Sequence, residues 1–164
     1  MEQTLAQQEL DERVAILRRF RSLLEEQRNK FREYLRVLEK QQDKITEDDG
    51  DGLTAHAELE TQILQSIAGL QKVIEPMQSL YQTVAGSISA ADNASVARVQ
   101  SDLESIQRQV LAQNEKNRKL LRAHINQIRA QLDTLMQNNP YRGRRSVYAE
   151  NAVVMPGNMV TVEA

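Results

Sequence analysis

Cysteine and tryptophan are both missing from the 164 residues, and only two Phe and four Tyr are present. Without cysteine there is no disulfide, no thiolate metal ligand and no thiol nucleophile, a composition that fits a reducing compartment. Without large aromatics, a core has to be built from Leu, Ile, Val and Ala, the residues of helix seams. No stretch approaches the roughly 18 uninterrupted apolar residues of a membrane span. Residues 1–8 lack a basic stretch followed by an apolar run, so no secretory signal is expected and the protein is expected in the cytoplasm. Neither sign of charge dominates: 21 basic and 23 acidic residues are intermingled, for a formal net charge of −2. That balance leaves no broad positive face for a phosphate backbone, and nucleic acid is not an expected partner.

Glycine and proline are absent before Gly50 and again through residues 87–139. In the first of these stretches Leu10, Leu17, Leu24, Phe31, Leu38 and Ile45 recur every seven residues, with Val14, Phe20, Tyr34 and Leu35 partly filling a second row. A strict heptad of this kind marks a helix that wraps on partner helices. Glu9 with Arg13 and Glu26 with Lys30 add four-residue charge pairs on the outer face. The acidic stretch 47–52 ends this helix, because Asp and Gly favour turns. A second helix carries Ile63, Ile67, Leu70, Ile74, Met77, Tyr81 and Val84, with Pro76 expected to kink or break it near 72–75. Gly86, Ser87 and Ser89 mark the next turn, with Asp92 or Ser95 as the expected N-cap. The third helix has one seam at Val96, Val99, Leu103, Ile106 and Val110, a polar interval at Gln113, Asn114 and Asn117, and a second seam at Leu121, Ile125, Ile128, Leu132 and Leu135. Asn139 before Pro140 stops it. The fold class expected is all-α: an elongated antiparallel bundle of three long helices over 1–139, joined by connections of roughly 6–10 residues, with a flexible C-terminal tail at 140–164.

Catalytic chemistry needs a convergent nucleophile, base and orienting group, or a metal. The two histidines, His56 and His124, fall on different helices without a second ligand at metal spacing, and there is no phosphate-cradling glycine loop. Glu47, Asp49, Asp51, Gly52 and Glu58 match positions 1, 3, 5, 6 and 12 of a calcium-binding EF-hand loop. Position 1 is Glu rather than Asp, position 8 is the polar Thr54, and no second loop exists to pair with it, so an acidic helix-to-helix turn is expected and calcium is not. The chain reads as a protein-binding helical module, with no enzyme activity and no cofactor expected.

The run Asn114-Glu115-Lys116-Asn117-Arg118-Lys119-Leu120-Leu121, followed by Ile125, resembles the corresponding helix of the FlgN-type flagellar export chaperones, as do Glu58-Leu59-Glu60 and the Ile63–Leu70 seam of the second helix. The resemblance spans about residues 5–148. It implies a cytoplasmic chaperone that binds the C-terminal helices of hook–filament junction proteins, prevents their premature assembly and delivers them to the flagellar export gate. By motif, it implies client binding by Asn114, Asn117, Leu120, Leu121, Ile125, Ile128, Leu132 and Leu135, and gate docking by Tyr141 or Tyr148. The row from Leu121 to Leu135 reads equally as core, and Asn114 and Asn117 read also as polar residues that fix helix register. The alternative function is a structural homodimeric coiled-coil spacer, which would need continuous seams and would gain nothing from Pro76.

Overall fold

An unbroken run without glycine or proline gives α1 its length, Glu2–Thr46. A left-handed residue ends it. Asp48 has φ 58°, its N–H bonds the Ile45 carbonyl at 3.2 Å, and the Asp49 N–H bonds the Lys44 carbonyl at 3.0 Å. This pair of bonds closes the helix in a Schellman motif and satisfies its last carbonyls. Asp49 then serves as the N-cap of α2 (Gly50–Val84): its Oδ1 accepts from the Gly52 N–H at 2.9 Å. A Cβ at Gly52 would run into the Asp49 carboxylate and the Lys44 side chain, so the close approach needs glycine. The connection is therefore only residues 47–49, shorter than the 6–10 expected, because one aspartate both follows the C-cap and caps the next helix.

Pro76 does not break α2, which runs as one helix through it. Proline leaves the carbonyl four residues earlier, that of Lys72, without its helical donor. Pro76 and Lys72 both lie on the exposed face, where water can satisfy that carbonyl. A turn of 3-10 helix (Ala85–Ser87) leads into α3 (Ala90–Gln137). The cap of α3 is Ser89 rather than Asp92 or Ser95. Its Oγ accepts from the Asp92 N–H at 3.2 Å and donates to the Asp92 carboxylate at 2.8 Å, so one hydroxyl caps the helix and holds the carboxylate three residues on.

The structure is a computed structural model that describes residues 1–138, and the chain divides into two compact units, Met1–Leu121 and Arg122–Ala164. The first is an up-down-up bundle. Phe20 stacks on Tyr81 with ring centroids 4.9 Å apart, and Tyr34 bonds Glu60, so α1 and α2 run antiparallel. Arg28 pairs with Asp102 at 3.3 Å and Asn117 bonds the Leu38 carbonyl, so α1 and α3 run parallel. Two apolar clusters result: Leu17, Phe20, Leu23, Leu24, Ile74, Val96 and Val99 in one, and Tyr34, Val37, Leu38, Ile63, Ile67 and Val110 in the other. All three seams meet inside one chain, which a homodimeric spacer would not require. Leu10, the first rung of the α1 seam, is exposed: the α2–α3 turn packs Ile88 and Tyr81 at the level of Leu17 and Phe20, leaving nothing opposite Leu10. Of the charge pairs expected, Arg13 meets Glu9 at 3.6 Å, whereas Lys30 turns to Glu33 at 3.4 Å. The second unit contains the end of α3, through 137. The tail expected at 140–164 lies outside the described residues.

Candidate docking site

The polar interval in the α3 seam is the centre of a hydrogen-bond network that ties three helices together. Asn117 is 3% exposed, and its Nδ2 donates to the Leu38 carbonyl at 2.7 Å and to Gln41 Oε1 at 3.0 Å. Its Oδ1 accepts from Gln113 Nε2 at 2.9 Å, and the same Nε2 donates to Gln42 Oε1 at 2.7 Å. Gln41 Nε2 donates to Glu60 Oε2 at 3.5 Å, and the Tyr34 hydroxyl donates to Glu60 Oε1 at 2.7 Å. Burial and the Glu60 carboxylate together push the Tyr34 phenol well above its ordinary range. A buried amide satisfied on both ends, as Asn117 is, fixes one register and disfavours slippage by a turn, which a Leu at the same place would permit.

Above this network lies a cleft of ≈ 320 Å³ in the first unit. Ile45, Leu53 and Leu121 form its apolar walls, while Glu60, Asn114 and Arg118 supply its polar rim. The acidic turn nearby is engaged internally. Asp49 accepts from Gly52 N–H and lies 3.2 Å from Lys44 Nζ, and these two donors hold its carboxyl below the usual range. Among the described residues no group of three or more His, Asp or Glu side chains is arranged to hold a metal ion. No helix of the described residues is long and apolar enough to cross a membrane.

From Arg122 onward no described residue is buried. The seam nevertheless continues: Ile125, Ile128, Leu132 and Leu135 recur at three- and four-residue spacing and are 41%, 44%, 53% and 68% exposed. This is the spacing that buries an amphipathic helix elsewhere in the chain, here without cover from the described residues.

The family described as FlgN protein matches residues 16–152, most of the chain. The chain belongs to the FlgN family. FlgN proteins are flagellar export chaperones, a chaperone family rather than an enzyme family. A protein of Treponema pallidum (strain Nichols), described only as an uncharacterized protein, is 41% identical over 129 residues, which make up 79% of this chain and 80% of its own length. No solved structure matches.

The residues assigned to client binding from the FlgN resemblance do not all share one environment. Asn117 is inside the bundle as a register pin, with both amide hydrogens given to α1. Asn114 is half-buried at the cleft rim, Leu120 is half-buried, and Leu121 lines the cleft while remaining 42% exposed. Ile125, Ile128, Leu132 and Leu135 form the uncovered row. His124 is half-buried and His56 is half-buried on α2, each on its own helix. Tyr141 and Tyr148, assigned to gate docking from the same resemblance, lie outside the described residues. Gln41, which with Glu60 joins the three helices beneath the cleft, escaped notice in the sequence, where Glu60 figured only within the Glu58-Leu59-Glu60 match. Gln41 stands a heptad beyond Tyr34, itself a heptad beyond Gln27, and that polar entry in an apolar row was the available signal.

Proposed function

We propose that this protein acts in the cytoplasm as the export chaperone of hook–filament junction proteins, binding their C-terminal helices, blocking premature assembly and delivering them to the export gate. The observation that carries the reading is the uncovered row Ile125, Ile128, Leu132 and Leu135. An amphipathic client helix laid along it would present its own anchors at i, i+3, i+4 and i+7, the helix-in-groove mode of recognition. Leu120, Leu121 and Asn114, in the first unit, would add contacts of their own, Leu121 and Asn114 from the lining of the cleft. Asn117 contributes by holding α3 in register on α1 within the first unit. A client helix kept on this row cannot use the same apolar stripe to assemble, which is how such a chaperone prevents polymerisation.

Gate docking is assigned to Tyr141 and Tyr148, which follow the client row in the sequence, so that one chain would hold a client and the gate together. Calorimetry with a peptide from the C-terminal end of a hook–filament junction protein tests the client half. Binding by the wild type and its loss in Ile128→Asp and Leu132→Asp, with unchanged melting, is the expected result. Replacement of Tyr141 and Tyr148 by Ala is expected to leave that affinity unchanged and to weaken association with the cytoplasmic domain of the gate. Absence of peptide binding to the wild type would refute the client assignment.

A further inference from the structure

The apolar row of the second unit is flanked by charge of one sign, and the flanks specify the helix that fits. With Ile125 and Leu132 at heptad position a, and Ile128 and Leu135 at d, Arg122 and Arg129 occupy e, while His124 and Gln131 occupy g. Both arginines are exposed. The ion pairs formed among the described residues do not include either of them. Asp133, the single carboxylate between 122 and 137, stands at b, on the outer side away from the row. In paired helices the e and g positions lie alongside the seam and set partner choice by charge.

We infer that the row takes an amphipathic helix with acidic residues along its flanks. This rests on the docking reading proposed above and adds the charge of the partner. A second copy of this chain fits poorly: in an antiparallel pair e faces e, so arginine meets arginine. In a parallel pair, Arg129 meets His124 or Gln131 and gains no carboxylate. The chain's own segment after 139 has the wrong sign where it begins, with Arg142, Arg144 and Arg145 ahead of its first acid, Glu150. A lipid surface is also disfavoured, because residues 122–137 hold no aromatic side chain and few cations, unlike an interfacial helix.

The test uses the full chain and three designed three-heptad helical peptides with Leu at every a and d. One carries Glu at e and g, one Gln, and one Lys. The Glu peptide is expected to bind tightest and the Lys peptide weakest. Two exposed ion pairs predict roughly a 2- to 30-fold gap between Glu and Gln, narrowing in high salt. The gap should vanish in Arg122→Gln/Arg129→Gln, and the Lys peptide should become the best ligand of Arg122→Glu/Arg129→Glu, with melting unchanged in both variants. Equal binding of the Glu and Gln peptides, both weakened by Leu132→Ser, would overturn the charge inference and leave the docking reading standing. Failure of all three peptides to bind would overturn both. Displacement of the Glu peptide by phosphatidylglycerol vesicles, or by self-association of the chain, would replace the inference with a membrane or a second copy.

Discussion

Changing Asn117 to Asp substitutes one atom and inverts the hydrogen bonding at the centre of the bundle. The Nδ2 that becomes an oxygen lies 2.7 Å from the Leu38 carbonyl and 3.0 Å from Gln41 Oε1, so two donated bonds become acceptor-to-acceptor contacts in a nearly fully buried site. Each lost bond removes about 1 kcal/mol net, and an unpaired acceptor left facing another adds about 1–3 kcal/mol. Gln41 is half-exposed and can turn its amide, which relieves part of this. The net expectation is about 3 kcal/mol at pH 7, or a fall in midpoint of roughly 6–12 °C for a domain of this size. The introduced carboxyl has its pKa raised in the folded state above the ordinary value of about 3.9, because burial and the facing carbonyl disfavour its anion. Below the unfolded pKa it is protonated in both states and the ionisation penalty is absent. As pH rises from about 4 toward the folded pKa, the penalty grows by up to about 1.4 kcal/mol per pH unit. Urea denaturation followed by circular dichroism at pH 4 and pH 7 measures both. Asn114→Asp, at the half-buried rim, is the control and should shift stability by less than about 0.5 kcal/mol. If Asn117→Asp matches the wild type at pH 7, or loses the same stability at both pH values, the network does not hold the helices as described.

Three further outcomes concern Gln27, Pro76 and Tyr34. Gln27 is 2% exposed, bonds the Ile67 carbonyl at a long 3.4 Å and leaves Oε1 without a partner among the described residues, so Gln27→Met should stabilise the fold by about 1 kcal/mol in thermal melts. Pro76→Ala restores a donor to Lys72 within α2 and should raise stability by roughly 1–3 kcal/mol, with a small gain in helical circular dichroism. The Tyr34 phenol is raised above its ordinary value, so its contribution to stability is fully present below about pH 10 and is lost as pH climbs through the folded-state pKa. Tyr34→Phe should therefore flatten the alkaline limb of the stability curve, and an unchanged limb would contradict the Tyr34–Glu60 bond.

The helices, their order and their antiparallel packing were legible in the sequence because heptad spacing and the absence of Gly and Pro act locally. Leu17, Leu24, Leu38 and Ile45 are buried where the repeat placed them. Leu10 obeys the same repeat and is exposed, because a periodic pattern does not say where the partner helices end. The turn at 47–49 was readable as a turn but not in length, since its shortness depends on Asp49 capping one helix while following another. Ser89 caps α3, where Asp92 or Ser95 was expected, because all three are cap formers and only the helix start decides between them. Pro76 was expected to kink or break α2. It does not break the helix, since the carbonyl it orphans belongs to an exposed residue. At the docking site, apolar spacing identified the row from Leu121 to Leu135 but left core and groove equally open. Among the described residues nothing buries Ile125, Ile128, Leu132 or Leu135, and Asn117 is inside the bundle, which supports the proposed groove.

If one apolar row of α3 serves a partner while the others serve the fold, truncations in the two must rank in opposite order for stability and for affinity. Ile128→Ala, Leu132→Ala and Leu135→Ala would be set beside Leu24→Ala and Leu38→Ala, each assayed by thermal melting and by affinity for a hook–filament junction C-terminal peptide. Leu24 and Leu38 are 4% and 0% exposed, so their truncation should cost about 2–5 kcal/mol of folding stability. The three row variants should melt within about 0.5 kcal/mol of the wild type and weaken peptide binding by about 1 kcal/mol or more each. Row variants that destabilise like Leu24→Ala, with peptide affinity unchanged, would contradict the account.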